Sequence, residues 1–244
     1  MPHDRLNLTE AARYLHLAQV KVEQLMRRRE IPFTVSGTRV VFLKHELDAW
    51  ASRRIMEFDG RQLQDYHGNS HRGAMKVADS QPLLRNLLAS RQVTADLAAK
   101  TRASVLREVV RLADRTGWLI YPKDLLASLE AREELCSTAL PGGLALLHPC
   151  HHDEYLFEKS FLLLARTVQP VPFNAPDGKC TDLFFLLCCR DDCLHLHLLS
   201  RLCMMCTKTG LLDQLRDAPD AAAMVAAMTD TETEIVKTIN RSHG

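Results

Sequence analysis

The apolar positions of the chain fall into two blocks with different rhythms. In the first, residues 6–54, short helical patterns surround a strand pair. Leu8-Thr9 opens a helix in which Ala11, Ala12 and Leu15 share a face, with Thr9 the expected N-cap and Leu8 the apolar residue ahead of it. His16-Leu17-Ala18 reads as a turn. A second helix runs on to about Arg28 and buries Val22, Leu25 and Met26. Pro32 ends helical character. Phe33-Thr34-Val35 and Arg39-Val40-Val41-Phe42 flank Ser36-Gly37, a hairpin signal. A last helix extends from Lys44 to about Arg54, with Leu47 and Trp50 three apart.

The second block, residues 82–240, alternates helical and strand patterns. Val105, Leu106, Val109, Val110, Leu112 and Ala113 repeat as a helix, and Leu125, Leu126 and Leu129 mark another. Leu144–Leu147, Ser160–Ala165 and Leu183–Leu187 are continuous apolar runs of strand length, which suggests strands covered on both faces. Leu194–Cys206 and Leu211–Arg216 return to a helical pattern. The expected fold class is therefore α/β: a small winged-helix-type domain at residues 1–54, then an α/β sandwich of a mixed sheet flanked by helices at residues 81–244. Between them, residues 55–80 include the polar, aperiodic stretch Asp65–Ala74. We read that segment as a linker, because so long an unpatterned stretch is unusual inside a compact domain.

Composition adds little to this division; charge and cysteine placement add more. The chain has 244 residues, 46% hydrophobic and 25% charged, with a net charge of +1. Residues 1–54 carry ten Lys/Arg against six Asp/Glu, net +4, and the remainder 21 against 24, net −3. A basic small module on a slightly acidic body fits a nucleic-acid reader joined to something else. There is no apolar stretch of membrane-spanning length and no secretory signal pattern at the start, so we expect a cytoplasmic protein without membrane insertion. All eight cysteines lie between Cys136 and Cys206 and are expected to be reduced thiols.

The segments Leu8–Leu15, Val22–Arg28, the hairpin and Leu47-Asp48-Ala49-Trp50 keep the order and spacing of the MerR/excisionase-type helix-turn-helix family, which residues 6–54 resemble. His16 stands where that family usually has glycine, and histidine enters the left-handed region more readily than most residues. The resemblance implies DNA as a partner. On the second helix, Gln19, Lys21, Gln24, Arg27 and Arg28 offer donors to base edges and phosphates, and Arg39 and Lys44 offer grips on the backbone. A protein-binding module on the same scaffold is the alternative. Readers of this type often form homodimers, although no heptad segment is present to make one.

Three further segments resemble the enzyme IIA domains of the phosphotransferase system, of the fructose/mannitol and nitrogen-regulatory class. The first runs Arg132-Glu133, Ser137-Thr138, Pro141-Gly142-Gly143, the apolar Leu144–Leu147, then His148. The second spans Pro170–Leu187 and the third Leu194–Leu202. The resemblance implies that His148 accepts a phosphoryl group from a histidine phosphocarrier protein of the HPr type. It also assigns the second active-site histidine to His195 and the active-site arginine to Arg132. Ser137, Thr138 and Gly143 would belong to a loop that donates to the phosphoryl oxygens, with no metal and no cofactor. Two departures from the family pattern stand out: Cys136, Ala139 and Pro141 occupy places usually taken by glycine, and Leu147 rather than proline precedes the histidine.

The remaining signals read blandly. Cys203 and Cys206 sit in an apolar helical pattern and are expected in the core. Cys150-His151-His152-Asp153 reads as a solvated loop. His197 is two residues from His195 and must face another direction on a helix. The combined expectation is a regulator whose histidine phosphorylation alters a DNA-binding module. Two alternatives stand beside it: a IIA phosphocarrier serving a sugar permease component, and an unphosphorylated adaptor with a degenerate IIA domain.

Overall fold

The computed structural model describes residues 5–77, 83–150 and 155–242. The N-terminal region is built as β1 (Arg5–Leu6), α1 (Leu8–Tyr14), α2 (Gln19–Arg27), β2 (Thr34–Ser36), β3 (Arg39–Leu43) and α3 (Lys44–Glu57). The three strands form an antiparallel sheet in the order β1-β3-β2. Asn7, not Thr9, caps α1. Its side chain accepts from the Glu10 backbone N–H at 3.0 Å, and the Glu10 carboxylate accepts from the Asn7 backbone N–H at 2.8 Å. This reciprocal pair satisfies two donors at once, and Thr9, the second residue of the helix, gives its hydroxyl to Gln19 instead. His16 adopts φ +54° in the turn between α1 and α2, the conformation that its glycine-like place demands.

Residues 60–77 depart from the expected turn-rich linker: Gly60–Val77 is a helix, α4. Its buried positions Leu63, Tyr66, His67 and Ser70 keep helical spacing. Beyond Leu63 the face is made from an aromatic, an imidazole and a hydroxyl, so a hydrophobic pattern search passes over it. Residues 78–80, also assigned to the linker, lie outside the described residues.

The C-terminal region contains β4 (Val93–Leu97), α5 (Arg102–Asp114), α6 (Pro122–Leu135), β5 (Ala139–Leu140), β6 (Leu144–Leu147), β7 (Phe161–Val171), β8 (Thr181–Cys188), α7 (Asp192–Lys208), α8 (Leu211–Asp217) and α9 (Ala221–Ser242). Its five-stranded sheet has the order β4-β7-β8-β6-β5 and is mixed. The pairs β4·β7 and β6·β8 are parallel, while β7·β8 and β5·β6 are antiparallel. Strand alternation divides the core in two. Ala145, Leu147, Leu163, Phe184 and Leu186 pack with α5 and α6. Leu144, Leu146, Leu162, Leu164, Leu183 and Phe185 pack with α7, α8 and α9.

The α7-side core continues without a break into the N-terminal region, where Leu15, Leu25, Phe42, Leu47, Ile55 and Leu63 belong to it. Helices α3 and α4 both pack on α7. A buried ion pair, Arg201 to Glu232 at 3.3 Å, ties α7 to α9 on the same side. Glu232 also accepts from the backbone N–H groups of Leu84 and Arg85, which fastens the segment entering β4. No helix among the described residues is long and apolar enough to cross a membrane.

Candidate functional site

β6 delivers His148 at its C-terminal end, and α6 delivers Arg132 from its last turn. His195 stands in the first turn of α7, whose N-cap Asp191 accepts from the Leu194 N–H at 2.8 Å. The three meet: His148 and His195 have ring centroids 5.1 Å apart, and Arg132 Nε donates to His148 Nε2 at 3.0 Å. None of the three is more than 1% exposed.

These contacts fix the state of the imidazole. His148 Nδ1 lies 2.8 Å from the carbonyl oxygen of Leu146, which can only accept, so Nδ1 carries the proton. Arginine can only donate, so Nε2 presents its lone pair to Arg132. A ring protonated on Nδ1 satisfies both contacts and turns the Nε2 lone pair toward Arg132. Arg132 Nη1 donates to the Cys136 carbonyl at 3.0 Å and contacts Cys136 Sγ at 3.1 Å. Its Nη2 is buried and has no hydrogen-bond partner among the described residues. Buried guanidinium donors are normally satisfied, so this one is available to an incoming oxyanion.

The segment 137–143 divides between the site and the sheet. Thr138 gives both its backbone N–H, at 3.0 Å, and its hydroxyl to Glu133 Oε1. Burial pushes the Glu133 carboxyl up, and the Thr138 hydrogen bonds and Arg132 pull against that shift. Ser137 Oγ donates to the Phe173 carbonyl at 2.7 Å. Both hydroxyls thus hold the start of β5 in place. Gly143 is at the wrong end for phosphoryl binding: β6 lies between it and His148, a span of about 16 Å in extended chain. Its φ of +82° and the closeness of Arg216 and Asp182 require glycine for the β5–β6 turn. Cys150, two residues past His148, is half-buried, and burial raises its thiol pKa despite Arg132 nearby. Residues 151–154, including His151-His152-Asp153 of the expected solvated loop, lie outside the described residues.

Sequence patterning missed one residue at the site. Asp48, on α3 of the N-terminal region, is 2% exposed, and one of its carboxylate oxygens lies with a ring nitrogen of His148 and one of His195, all within 4.8 Å of one another. Tyr14 Oη of α1 donates to Asp48 Oδ1 at 2.9 Å. Two imidazoles and a carboxylate are metal-ligand types. The Arg132 guanidinium already engages His148 Nε2, so a dication in this cluster would sit beside a fixed positive charge. Nothing in the sequence of α3 announces this position; Asp48 sits inside the helix-turn-helix pattern as an ordinary helical carboxylate.

The family model for the phosphoenolpyruvate-dependent sugar phosphotransferase system, EIIA 2, matches residues 86–231, more than half of the chain and all three residues of the cluster built from Arg132, His148 and His195. The chain belongs to this family. A second model, for a helix-turn-helix domain, matches residues 5–55. A nitrogen regulatory protein of Pseudomonas aeruginosa is 28% identical over 151 residues, spanning 61% of this chain and 96% of that protein. Nitrogen regulatory protein IIA-Ntr of Neisseria meningitidis superposes with a TM-score of 0.54 at 26% identity, over 59% of this chain and 97% of that one. IIA mannitol of Escherichia coli, at 15% identity and a TM-score of 0.51, covers 58% of this chain and 98% of its own and shares the fold.

Outside the EIIA 2 domain, the helix-turn-helix presents its second helix outward. Gln19, Lys21, Gln24 and Arg27 on α2 and the C-cap Arg28 are exposed, as is Arg39 on β3, and Lys44 at the start of α3 is half-buried. Gln19 bonds to Thr9 and Glu23 at 3.3 Å each. His197 turns away from His148: its ring lies tilted against His67 of α4 with centroids 4.4 Å apart, and its Nδ1 meets Ser70 Oγ at 2.9 Å. Cys203 and Cys206 are buried in the apolar core, and burial pushes the Cys203 thiol up to about 12.

Proposed function

We propose that this chain is a nitrogen-regulatory-type IIA protein that carries its own DNA reader, with the carrier in residues 81–244, the reader in residues 1–54 and α4 in the connecting segment. The observation that carries the reading is the fixed imidazole of His148. Its protonated Nδ1 is anchored, its Nε2 lone pair is aimed at Arg132, and His195 stands beside it. In the transfer, the Nε2 lone pair forms a bond to phosphorus as the N–P bond of a phosphorylated histidine carrier breaks. The carrier imidazole leaves with that electron pair and takes up a proton. Such a reaction asks a protein mainly for positioning and charge stabilisation. Arg132 supplies a charge and the unpartnered Nη2 donor, and His195 supplies a second donor to the phosphoryl oxygens.

On the N-terminal side, the exposed row of Gln19, Lys21, Gln24, Arg27 and Arg28 supports major-groove recognition, with Arg39 and Lys44 on phosphates. The function is then regulation of transcription by the phosphorylation state of a cytoplasmic carrier. Gel-shift measurements on genomic fragments, with and without phosphorylation, test this half. A regulator shifts specific fragments and responds to the phosphoryl group. A carrier serving only a permease shifts none.

A further inference from the structure

A phosphoryl acceptor has to meet its donor, yet His148 and His195 expose no surface at all. Part of what covers them is foreign to the EIIA 2 domain. α3 of the helix-turn-helix packs on α7 and brings the Asp48 carboxylate to within 4.8 Å of ring nitrogens on both histidines. The carboxylate is held there from its own domain by Tyr14. One turn further along the same face of α3, Ser52 is buried too. The remaining stripe of that helix, Leu47, Ala51 and Ile55, belongs to the apolar core.

Resting on the phosphoryl-acceptor reading of His148, we infer that α3 is a tethered lock on that site: the Asp48 carboxylate stands in for the anionic phosphoryl group, and docking of α3 and phosphorylation of His148 exclude one another. A carboxylate is a planar oxyanion that suits the donors a phosphoryl group would use. Two consequences follow. A phosphocarrier reaches Nε2 only while α3 is lifted, so the docked state slows acceptance. Once formed, phosphohistidine brings roughly two negative charges into a buried space beside Asp48, and like charges in low dielectric repel strongly. The phosphoryl group therefore holds the reader off the carrier. By linkage, docking of α3 lowers the equilibrium for phosphorylation by the same factor that phosphorylation lowers the equilibrium for docking. The α2 row stays exposed in the docked state, so the lock controls how the reader is held and leaves its base-reading face open.

The experiment is the rate of phosphoryl transfer to the full chain from phosphoenolpyruvate, enzyme I and a histidine phosphocarrier. It compares wild type with Asp48→Ala, the near-isosteric Asp48→Asn and Tyr14→Phe. The lock predicts labelling about tenfold faster for Asp48→Ala and Asp48→Asn, with Tyr14→Phe between them and wild type. Hydrogen exchange on the wild-type protein gives a second readout that needs no folded variant. Amides of α3 and of the first turn of α7 should exchange faster after phosphorylation, and His148→Ala in the same mixture should show no change. Labelling of both Asp48 variants at or below the wild-type rate, with unchanged exchange on phosphorylation, overturns the lock while leaving the acceptor reading intact. No label on any variant, beside a IIA protein that labels in the same tube, removes the acceptor reading and the lock with it.

Discussion

Two histidines two residues apart on α7 have opposite surroundings. Both His195 and His197 are fully buried. His195 faces a histidine, and a ring nitrogen of His195 lies beside a carboxylate oxygen of Asp48, with a guanidinium bonded to the neighbouring ring. His197 faces the imidazoles of His67 and His71, the Ser70 hydroxyl and the Arg201 guanidinium at 3.3 Å from Nε2. The first environment gathers donors and one anion around a ring nitrogen, which suits the proposed phosphoryl group. The second gathers cations and would-be cations around a ring that must stay neutral, which suits packing of α4 on α7. Burial alone does not separate a reacting histidine from a structural one. The sign and the arrangement of what surrounds it do.

The sharpest way to break this contrast is Arg132→Ala, which strips the His195 side of its guanidinium. Phosphoryl acceptance should fall by about 10²–10³, read as initial rate of label incorporation. Next comes the pair itself. His195→Ala should slow transfer roughly a hundredfold. His197→Ala should leave the rate within about threefold and instead cost roughly 1–3 kcal/mol of stability in urea unfolding, since buried Ser70 and Arg201 each lose a hydrogen-bond partner. Equal rate losses in the two variants would erase the distinction between the faces.

The two sides should also part in their response to acid. His197 is held well below the ordinary value of 6.5, first by burial, then by His67, Arg201, His71 and His16. His71 is lowered by burial and by Arg201. A base with a depressed pKa in the folded state stays neutral there while the unfolded chain takes up the proton. Its contribution is therefore complete above about 6.5 and is lost as pH falls below that value. Thermal melts should be flat from neutral pH down to about 6.5 and decline beneath it, and His197→Gln should make the decline shallower. The smallest effect belongs to the outward helix. Arg27→Ala should lower the salt dependence of DNA binding by about one unit of slope, with little change in the rate of phosphoryl transfer.

Much of this was legible in the sequence where side-chain chemistry and spacing coincide. The apolar run Leu144–Leu147 marked a strand, and the resemblance to IIA domains singled out His148 and Arg132, which now touch. Helical periodicity separated His195 from His197 before any coordinates. The segment 60–77 stayed illegible because its buried face is Tyr66, His67 and Ser70, whose partners His197 and Arg201 lie more than a hundred residues away. Gly143 was misplaced for a related reason: glycine needed for a hairpin turn and glycine needed at a phosphoryl loop look alike until the strand between it and His148 is counted. Asp48 could not be singled out at all. Its significance comes from the seating of α3 on α7, and that contact has no local signature in α3.

The central claim is that His148 accepts a phosphoryl group, and the direct measurement is acid-labile phosphate on the full chain after incubation with phosphoenolpyruvate, enzyme I and a histidine phosphocarrier. The account predicts one phosphoryl group per chain on wild type and on His197→Ala, and none on His148→Ala. An unlabelled wild type in a mixture that labels another IIA protein, or label that persists in His148→Ala, would contradict it.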